Sequence, residues 1–367
     1  MLLRDSRDLA IQPEIPTEDA VPAGGAPARA LAYPELRYMG SKRRLLPWIH
    51  DVLGTLDFET ALDPFCGTGC VAYLMKAMGR RVTASDFLGF TSLVAQATIA
   101  NATRTLGSAD VDAILSPGAG ADDFIARTFD GVFFTAEDRA FLDRASAGLR
   151  GLGDGDARAV AYAALFRSCL KKQPRGVFTV SGDLARYDDG RRDLRLSLEE
   201  HFREQVTVFN GAVFDNGRAN RALRADVFDI DPTSFDLVYL DPPYVPRSDD
   251  NCYVKRYHFI EGLSCYWQGV EIMHETKVKK IAKRFTPFSY RRTAVDAFER
   301  MFARFSKSTI VLSYSSNGYP DLDILEELLG RYKRRVDIFE RSHRYHFGTH
   351  ASVERARVTE YLVVGRG

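Results

Sequence analysis

The segment LVYLDPPYV, residues 237–245, combines residue types that can position a reacting group. Apolar residues run directly into Asp241, and Pro242 and Pro243 then remove two backbone donors and fix φ at about −65°. Because such a pair cannot continue a central strand, the chain must leave the sheet at Asp241, where ligands bind in open α/β sheets. The acid together with a backbone carbonyl can accept hydrogen bonds from an exocyclic amine, and Tyr244 can stack on a flat ring. The alternative is a rigid turn with a buried tyrosine.

A second segment, DPFCGTGC at 63–70, has the form of a ligand-binding turn. It places Gly67 and Gly69 between a predicted strand and a predicted helix, but it lacks the third glycine of the dinucleotide fingerprint. Glycine lets the backbone approach a ligand closely, and a helix N-terminus offers unpaired N–H groups. Asp86 ends the next predicted strand, where it can bind a ribose diol, whereas Asp63 is expected to orient the turn or attract a cationic ligand. The alternative is a structural turn in which Asp63 caps the helix.

The composition limits the classes of protein to which the chain can belong. Its 367 residues suit one large α/β domain with an inserted lobe or two modest domains, and 45% hydrophobic residues allow a sizeable core. A net charge of +1 excludes a wholly basic nucleic-acid coat but not a local basic face. Five scattered cysteines indicate a reducing compartment. No apolar run reaches the roughly 18 residues that span a bilayer, so we expect a cytoplasmic protein without a membrane segment.

The predicted elements bring both segments to one sheet. Residues 1–32 are rich in Pro, Ala and Gly and are predicted to be a flexible N-terminal arm, with order beginning near Tyr33. Residues 33–110 carry the strand–turn–helix–strand unit of the glycine turn, whose strands should be parallel. Residues 111–224 are predicted to be an insert, helical at first and without helical period from residue 171. Residues 225–367 hold the strands FDLVYLD, KSTIVLSYS and VTEYLVVG and the helix PDLDILEELLGRY.

Two segments carry enough positive charge to contact a nucleic-acid backbone. The first lies in the insert and comprises Lys171, Lys172, Arg175, Arg186, Arg191, Arg192 and Arg195. The second, KVKKIAKRFTPFSYRR at 277–292, contains no acid and comprises the basic residues Lys277, Lys279, Lys280, Lys283, Arg284, Arg291 and Arg292. Its aromatic residues Phe285, Phe288 and Tyr290 can read or wedge bases. The alternative for both segments is a solvated helix face. The aromatics of residues 251–269 are equally consistent with a lid over the base and with core.

In this order the segments resemble the S-adenosylmethionine-dependent amino-methyltransferases of nucleobases, and more specifically the Dam-like, alpha-group DNA adenine-N6 methyltransferases. RYMGSKRRLLPWI at 37–49 is similar to the N-terminal Gly-Ser/Gly-Lys segment of that group. LRADVFDI at 223–230, TIVLSYSSN at 309–317 and RARVTEYLVVG at 355–365 resemble its later segments in the same order. The middle of the chain does not closely match the DNA-reading hairpin of Dam, so we predict no recognition sequence.

The resemblance implies a fold, a cofactor and a role for each residue. The fold is an α/β, Rossmann-like class I methyltransferase with a mixed, largely parallel sheet and an inserted target-recognition lobe. The residues implied for S-adenosylmethionine are Tyr38, Lys42, Asp63, Phe65, Gly67, Gly69, Asp86, Asp226, Val227 and Asp241, with Phe228 as an alternative beside Val227. The residues implied for catalysis are Asp241, Pro242, Pro243 and Tyr244, which would hold the amine of an adenine flipped out of the duplex.

The function implied is methyl transfer to adenine N6 in double-stranded DNA, by the modification enzyme of a restriction–modification system or by a solitary or phage-borne methylase. A separately encoded restriction endonuclease and a monomeric or weakly dimeric state belong to the same expectation. The alternatives are methylation of cytosine N4, which uses the same amine chemistry, and a DNA-binding module with an inactive site. Methylation of RNA adenine or of a protein glutamine is more distant. No metal site is predicted, because the spacing of His343, His346 and His350 fits no standard ligand set.

Overall fold

The computed structural model describes residues 25–116, 122–174, 176–179, 190–246, 252–344 and 357–367. In these ranges the strands are β1 (Thr60–Asp63), β2 (Arg81–Asp86), β3 (Arg221–Arg224), β4 (Leu237–Leu240), β5 (Val245–Pro246), β6 (Ile272–Met273), β7 (Lys280–Ile281), β8 (Thr309–Ser315), β9 (Gly318–Tyr319), β10 (Arg335–Arg344) and β11 (Arg357–Arg366). The helices are α1 (Ala28–Leu31), α2 (Leu46–Gly54), α3 (Cys70–Ala77), α4 (Gly89–Ala95), α5 (Ser108–Leu115), α6 (Phe124–Thr128), α7 (Ala136–Gly151), α8 (Gly155–Lys172), α9 (Arg192–Arg195), α10 (Leu198–Ala212), α11 (Tyr253–Ser264), α12 (Arg291–Arg304) and α13 (Leu322–Gly330).

The main sheet has seven strands in the order β10-β11-β8-β4-β1-β2-β3. The pairs β8–β4, β4–β1, β1–β2 and β2–β3 are parallel, whereas β11 is antiparallel to both β8 and β10. This mixed, largely parallel sheet confirms the predicted α/β, Rossmann-like fold class. Because β2 lies on one side of β1 and β4 on the other, the strand order reverses at β1. In open sheets of this kind, ligands bind beyond the carboxyl ends of the strands at such a point.

Helices cover both faces of the central strands, which explains why these strands are apolar throughout. Alternate residues of a strand point to opposite faces, so Ala61 and Tyr239 pack with α2 and α3. Their neighbours Leu62 and Val238 pack with α12 and α13 on the other face. All four residues of β4 are buried, as expected for a parallel strand with two covered faces. The ends of these strands are therefore held in fixed positions by the packing.

The insert forms a helical lobe with an aromatic core, and α11 belongs to this lobe although it follows β5 in the chain. Phe259 of α11 stacks on Phe178 with ring centroids 5.1 Å apart. The same ring meets Phe129 edge to face at 4.9 Å. All three side chains are fully buried. The helix that comes after the Asp-Pro-Pro-Tyr turn thus completes the core of the lobe that precedes it.

The structure differs from the sequence-based prediction in three places. Helix α10 lies in the stretch from residue 171 where no helical period was predicted, and β3, placed in the insert, pairs with β2 in the main sheet. Helix α10 begins with a capping box in which Ser197 Oγ accepts from the Glu200 N–H at 3.2 Å and Glu200 accepts from the Ser197 N–H at 2.8 Å. Residues before Tyr33, predicted to belong to the arm, form α1, which buries Ala30.

No helix in the described ranges combines the length and the apolar character that crossing a membrane requires.

Candidate active site

The carboxyl ends of three adjacent strands bring three acidic residues to one cavity. Asp63 ends β1, Asp86 ends β2, and Asp241 follows β4 directly. All three line the same cavity. The lining also contains the predicted site residues Tyr38, Lys42, Phe65, Gly67 and Pro243. Residues about two hundred positions apart in the chain therefore line one cavity.

The glycine turn adopts a shape that other residues would not tolerate. Gly67 and Gly69 have φ values of +49° and +86°, in the left-handed region that favours glycine. A Cβ atom on Gly67 would lie 3.0 Å from Cε1 of Tyr38, and one on Gly69 would lie 3.1 Å from the hydroxyl oxygen of Tyr33. Gly69 is also the N-cap residue of α3. The turn consequently brings the backbone at the start of α3 to the cavity wall.

Asp86 fixes the glycine turn from the neighbouring strand. Its Oδ2 accepts a hydrogen bond from the Gly67 N–H at 2.9 Å, and its Oδ1 accepts one from the Leu88 N–H at 2.9 Å. Burial raises the pKa of Asp86 to about 6, and these two backbone donors oppose that rise. A carboxylate oriented by two backbone groups is suited to accept hydrogen bonds from the hydroxyls of a bound ribose.

Asp241 forms an ion pair with Lys42 that the sequence did not predict. Lys42 Nζ lies 2.9 Å from Asp241 Oδ1, and the two side chains are 6% and 20% exposed. The ammonium group also donates to the Gly40 carbonyl oxygen at 3.3 Å. Burial raises the pKa of Asp241, and Lys42 partly offsets this rise. Lys42 therefore favours the ionised form of Asp241, which is the form that accepts hydrogen bonds.

Asp63 offers an unfilled acceptor inside the cavity. The residue is 2% exposed, and its Oδ1 has no hydrogen-bond partner among the described residues. Burial, and then the nearby Asp241, raise the pKa of Asp63 well above its usual value. Buried polar atoms in proteins nearly always have a partner, so an orphaned carboxyl oxygen in a cavity wall indicates a ligand with a donor. An ammonium group fits this requirement.

A stack of tyrosines joins the Gly-Ser-Lys segment to α11. Tyr38 stacks on Tyr253 at 5.3 Å and on Tyr257 at 4.8 Å between ring centroids. The Tyr257 hydroxyl accepts a hydrogen bond from the Met39 N–H at 2.7 Å. Tyr253 lines the cavity, whereas Tyr257 is fully buried. The sequence left residues 251–269 open between a lid and core; in the structure Tyr257 belongs to the core, and Tyr253 lies in the cavity wall.

The turn after β4 is held against a second short sheet. Val245 of β5 pairs with Tyr319 of β9, directly after the turn. Tyr244 packs edge to face on Tyr314, with ring centroids 5.3 Å apart. Burial raises the pKa of Tyr244, so its phenol stays neutral. Pro242 is buried. The carboxylate, the prolines and the tyrosine of this turn therefore form one supported unit.

Asp226, Val227 and Phe228, which the resemblance implies for S-adenosylmethionine, lie outside the cavity lining. Val227 is buried in the core, and Asp226 Oδ1 accepts a hydrogen bond from the Phe228 N–H at 3.0 Å. Phe228 stacks on Phe288 at 5.9 Å, and Phe288 meets Phe65 of the glycine turn edge to face at 5.5 Å. These rings link Phe228 to the cavity wall, and the contact of all three predicted residues with a cofactor stays a prediction.

Four basic residues in the described part of the insert are engaged within the protein. Lys171 Nζ lies 2.8 Å from Asp193, and Lys172 Nζ lies 3.2 Å from Asp138. Arg192 pairs with Glu204, and Arg191 donates to the Pro174 carbonyl at 2.8 Å. Arg195 lies in α9, and Arg175 and Arg186 lie outside the described residues. The contact of all seven basic residues of the insert with DNA stays a prediction.

The second basic segment, 277–292, is a mainly exposed surface beside the cavity. Lys277, Lys283, Arg284, Arg291 and Arg292 are exposed, whereas Lys279 and Lys280 are half-buried. Of its aromatic residues, Phe288 is buried, while Phe285 and Tyr290 are 67% and 50% exposed.

In the described ranges, no three His, Cys, Asp or Glu side chains are grouped so as to hold a metal ion. His346 and His350 lie outside those ranges.

The sheet, the glycine turn and the acid–proline–proline–tyrosine turn together define a class I methyltransferase site. Residues 38–117 match the family model of the D12 class N6 adenine-specific DNA methyltransferases. The chain is 30% identical over 329 residues to the Type II methyltransferase M2.HphI of Haemophilus parahaemolyticus, a match that covers 85% of this chain and 92% of that protein. It is 23% identical over 320 residues to the modification methylase LlaI of Lactococcus lactis subsp. lactis, covering 81% of this chain and 49% of that protein.

The chain belongs to the D12 class of N6 adenine-specific DNA methyltransferases. This membership confirms the predicted family and the predicted reaction, methylation of adenine N6 in DNA, over the alternative of cytosine N4. The family is S-adenosylmethionine-dependent, which confirms the class of cofactor.

Proposed function

We propose that this protein moves the methyl group of S-adenosylmethionine to N6 of an adenine rotated out of double-stranded DNA, with Asp241 and the Pro242 carbonyl as acceptors for the amine. The observation that carries the proposal is the position of the Asp241 carboxylate. It lines the same cavity as the glycine turn and is paired at 2.9 Å with Lys42. An amine acceptor and a cofactor-type turn in one cavity are what direct methyl transfer requires.

Three features of the cavity fit the cofactor. The orphaned Oδ1 of Asp63 would accept a hydrogen bond from the ammonium group in the methionine part of S-adenosylmethionine. Asp86, already oriented by the Gly67 and Leu88 N–H groups, would accept from its ribose hydroxyls. Tyr38, which packs directly over Gly67, would close the wall on that side. When bound, S-adenosylmethionine supplies an electrophilic methyl group, and the protein supplies the acceptors that orient it.

The residues around Asp241 would prepare the adenine for the reaction. The N6 lone pair is delocalised into the ring, and hydrogen bonds from N6 to the Asp241 carboxylate and the Pro242 carbonyl favour a tetrahedral nitrogen with a free lone pair. Lys42 favours the ionised acceptor, and Tyr244 would stack on the base. Extrusion of a base costs a few kcal/mol, which stacking in the site partly offsets.

The DNA partner and the biological setting are also part of the proposal. The exposed basic residues of 277–292 would neutralise backbone phosphates next to the cavity. One relative is named as a Type II methyltransferase and the other as a modification methylase. These names support a role as the modification enzyme of a restriction–modification system. The proposal also includes a cytoplasmic protein that is a monomer or weak dimer and a separately encoded endonuclease.

The proposal is tested by methyl transfer from labelled S-adenosylmethionine to plasmid DNA of mixed sequence, with the modified nucleoside identified by mass spectrometry. Asp241→Ala is expected to lower the rate by about 10²-fold or more, because the amine loses its charged acceptor. Asp112→Ala, which removes an exposed carboxylate on α5, is the matched control and is expected to match the wild type.

N6-methyladenine from the wild type and the control, but not from Asp241→Ala, would support the proposal. N4-methylcytosine would overturn the target, and an active Asp241→Ala protein would overturn the role of the carboxylate.

A further inference from the structure

Residues 284–291, called the strap here, run along the rim of the active-site cavity. At one end, the Arg284 guanidinium donates to the Phe87 carbonyl oxygen at 2.8 Å. It also lies 5.1 Å from the centroid of the Phe87 ring. Phe87 lines the cavity and follows Asp86 directly. This end of the strap is therefore attached to the part of the rim where Asp86 lies.

The other end of the strap is attached to the catalytic side of the rim. The Arg291 guanidinium lies 4.5 Å from the centroid of the Tyr319 ring. Tyr319 pairs with Val245, which follows the Asp-Pro-Pro-Tyr turn directly. The strap thus spans from the loop after β2 to the strand after the catalytic turn.

The middle of the strap is held by contacts with the glycine turn and with α12. Phe288 is 2% exposed and meets Phe65 of the glycine turn edge to face at 5.5 Å. The Thr293 hydroxyl donates to the Pro287 carbonyl oxygen at 2.7 Å, which holds the short 3-10 turn Pro287–Ser289 against α12. Three attachments over eight residues make the strap a supported element, so the side chains that it exposes have defined positions.

The strap carries a pair of exposed aromatic rings. Phe285 is 67% exposed and Tyr290 is 50% exposed. Their rings stack on each other with centroids 5.2 Å apart and planes 17° apart. Single exposed apolar residues are common, but two large rings stacked on a fixed element beside an active site form a flat apolar surface that indicates a binding partner.

The charges around the aromatic pair indicate the chemistry of that partner. Lys283, Arg284, Arg291 and Arg292 flank the two rings, and all four are exposed. The longer segment 277–292 contains seven basic residues and no acid. A flat aromatic surface framed by cations is complementary to a nucleic acid, since aromatic rings stack on bases and cations neutralise phosphates.

We propose that the Phe285–Tyr290 pair stacks on the base pairs beside the target adenine and stabilises the DNA from which that adenine has been extruded. This inference rests on the proposed function and adds a positioning role for two residues that do not touch the reacting atoms. The strap attaches the pair to Phe87 of the cavity wall and to Tyr319, which pairs with the strand after the Asp-Pro-Pro-Tyr turn, so the pair lies beside the cavity that contains Asp241. When the target adenine leaves the duplex, the flanking base pair loses its stacking partner on that side. The aromatic pair would take the place of that partner.

The test compares wild type with the double variant Phe285→Ala, Tyr290→Ala on two duplexes. The methylated site is first identified by sequencing plasmid DNA that the wild type has methylated. Both duplexes contain this site. In one duplex the target adenine is paired with thymine, and in the other it faces an abasic position. On the paired duplex kcat/KM of the double variant is expected to fall about ten-fold or more, because stacking on a base is lost. On the abasic duplex, where extrusion costs little, the two proteins are expected to agree within about two-fold.

Two further variants separate stacking from other effects. Phe285→Trp keeps an aromatic surface and is expected to retain activity on the paired duplex. Val208→Ala removes an exposed apolar side chain from α10, at 39% exposure, and is the control for loss of surface area alone. Thermal unfolding of the double variant should match the wild type, since both rings are exposed.

Equal activity of wild type and double variant on the paired duplex would overturn the inference, and so would an equal loss on both duplexes. A wild type that methylates no adenine would overturn the proposed function and this inference with it. Adenine methylation by wild type with an unaffected double variant would overturn the inference alone.

Discussion

At the scale of single residues, Asp241, the proposed catalytic carboxylate, is paired with a lysine that lies about two hundred positions earlier in the chain. The Lys42 ammonium group is 2.9 Å from Asp241. Both side chains are largely withdrawn from water, where opposite charges interact more strongly than at the surface. Lys42 therefore acts on the protonation state of Asp241 as well as on its position.

Replacement of Lys42 by Met is expected to lower the methyl-transfer rate by about 10- to 100-fold, the effect of losing one buried charge-assisted hydrogen bond. The pH profile should also change. Lys42 lowers the pKa of Asp241, so its loss raises that pKa, and the carboxylate form is lost at a higher pH than in the wild type. The acidic limb of the single-turnover rate should therefore move to higher pH.

Lys42→Arg keeps the positive charge and is the matched control, whose acidic limb should stay near that of the wild type. An unchanged acidic limb in Lys42→Met, with only a weaker affinity for S-adenosylmethionine, would show that Lys42 serves the cofactor alone.

The residues that could be predicted from the sequence are those whose chemistry is local. Asp241, Gly67 and Asp86 stand out because a proline pair, a glycine turn and a strand end each identify a special backbone position. The Lys42–Asp241 distance and the place of Tyr253 could not be predicted, because both depend on how distant elements pack. The pairing of Lys171 with Asp193 is of the same kind, since nothing near Lys171 in the sequence indicates its partner.

At the scale of elements, α11 connects the inserted lobe to the start of α4, directly after Asp86 and the loop that follows β2. Glu261 of α11 accepts hydrogen bonds from the Gly89 and Phe90 N–H groups, at 3.0 and 3.1 Å. These are the first N–H groups of α4, which have no partner within their own helix. The same carboxylate lies 3.2 Å from Arg224 of β3. One side chain thus joins α11, α4 and β3.

Glu261→Ala is expected to lower the free energy of unfolding by about 1–3 kcal/mol, because two buried N–H groups lose their acceptor. It should also weaken the binding of S-adenosylhomocysteine, because the loop between Asp86 and α4 loses its support. Thermal unfolding and calorimetric titration measure the two effects.

Ser197→Ala provides the matched comparison. It removes the cap of α10 and is expected to lower the free energy of unfolding by about 1 kcal/mol, without changing the affinity for S-adenosylhomocysteine. If both variants weakened binding in proportion to their loss of stability, Glu261 would have no specific role at the cofactor site.

The elements of the sheet were predictable because buried strands and a strand–turn–helix unit have strong periodic patterns. Strands β1, β2, β4 and β8 lie where the sequence predicted them. The charged strand β3 was missed because it is an edge strand whose exposed residues show no apolar alternation. Helix α10 was missed although the Ser197–Glu200 capping box, Ser-x-x-Glu before an apolar pattern, was available to indicate its start.

At the scale of the whole molecule, a net charge of +1 hides an uneven distribution. In the described part of the insert, Lys171, Lys172 and Arg192 are paired with acids, as in the pair Arg192–Glu204. The segment 277–292 has no acid of its own. The sequence already shows that 277–292 contains no acid, but the acidic partners of Lys172 and Arg192, which are Asp138 and Glu204, become evident only when the other elements are placed.

This distribution predicts unequal contributions to the salt dependence of DNA binding. Neutralising Lys277 and Arg292 by Gln is expected to reduce the slope of log K against log salt by about 1.8, the effect of two lost phosphate contacts. Arg192→Gln should leave the slope unchanged, because Glu204 already neutralises that charge. Fluorescence anisotropy of a labelled duplex between about 50 and 200 mM NaCl measures both slopes. The opposite order would place the DNA on the insert and contradict the proposed binding face.

Helix α11 finally decides how the parts of this enzyme can be exchanged. Its Phe259 completes the core of the lobe, while its Tyr257 holds Met39 and its Tyr253 lines the cavity. A chimaera that took only the insert from a relative would separate the lobe from the helix that completes it. A graft that carried α11 along would also import part of the catalytic wall. The core of the lobe and the wall of the cavity therefore share one helix, so neither can be exchanged without altering the other.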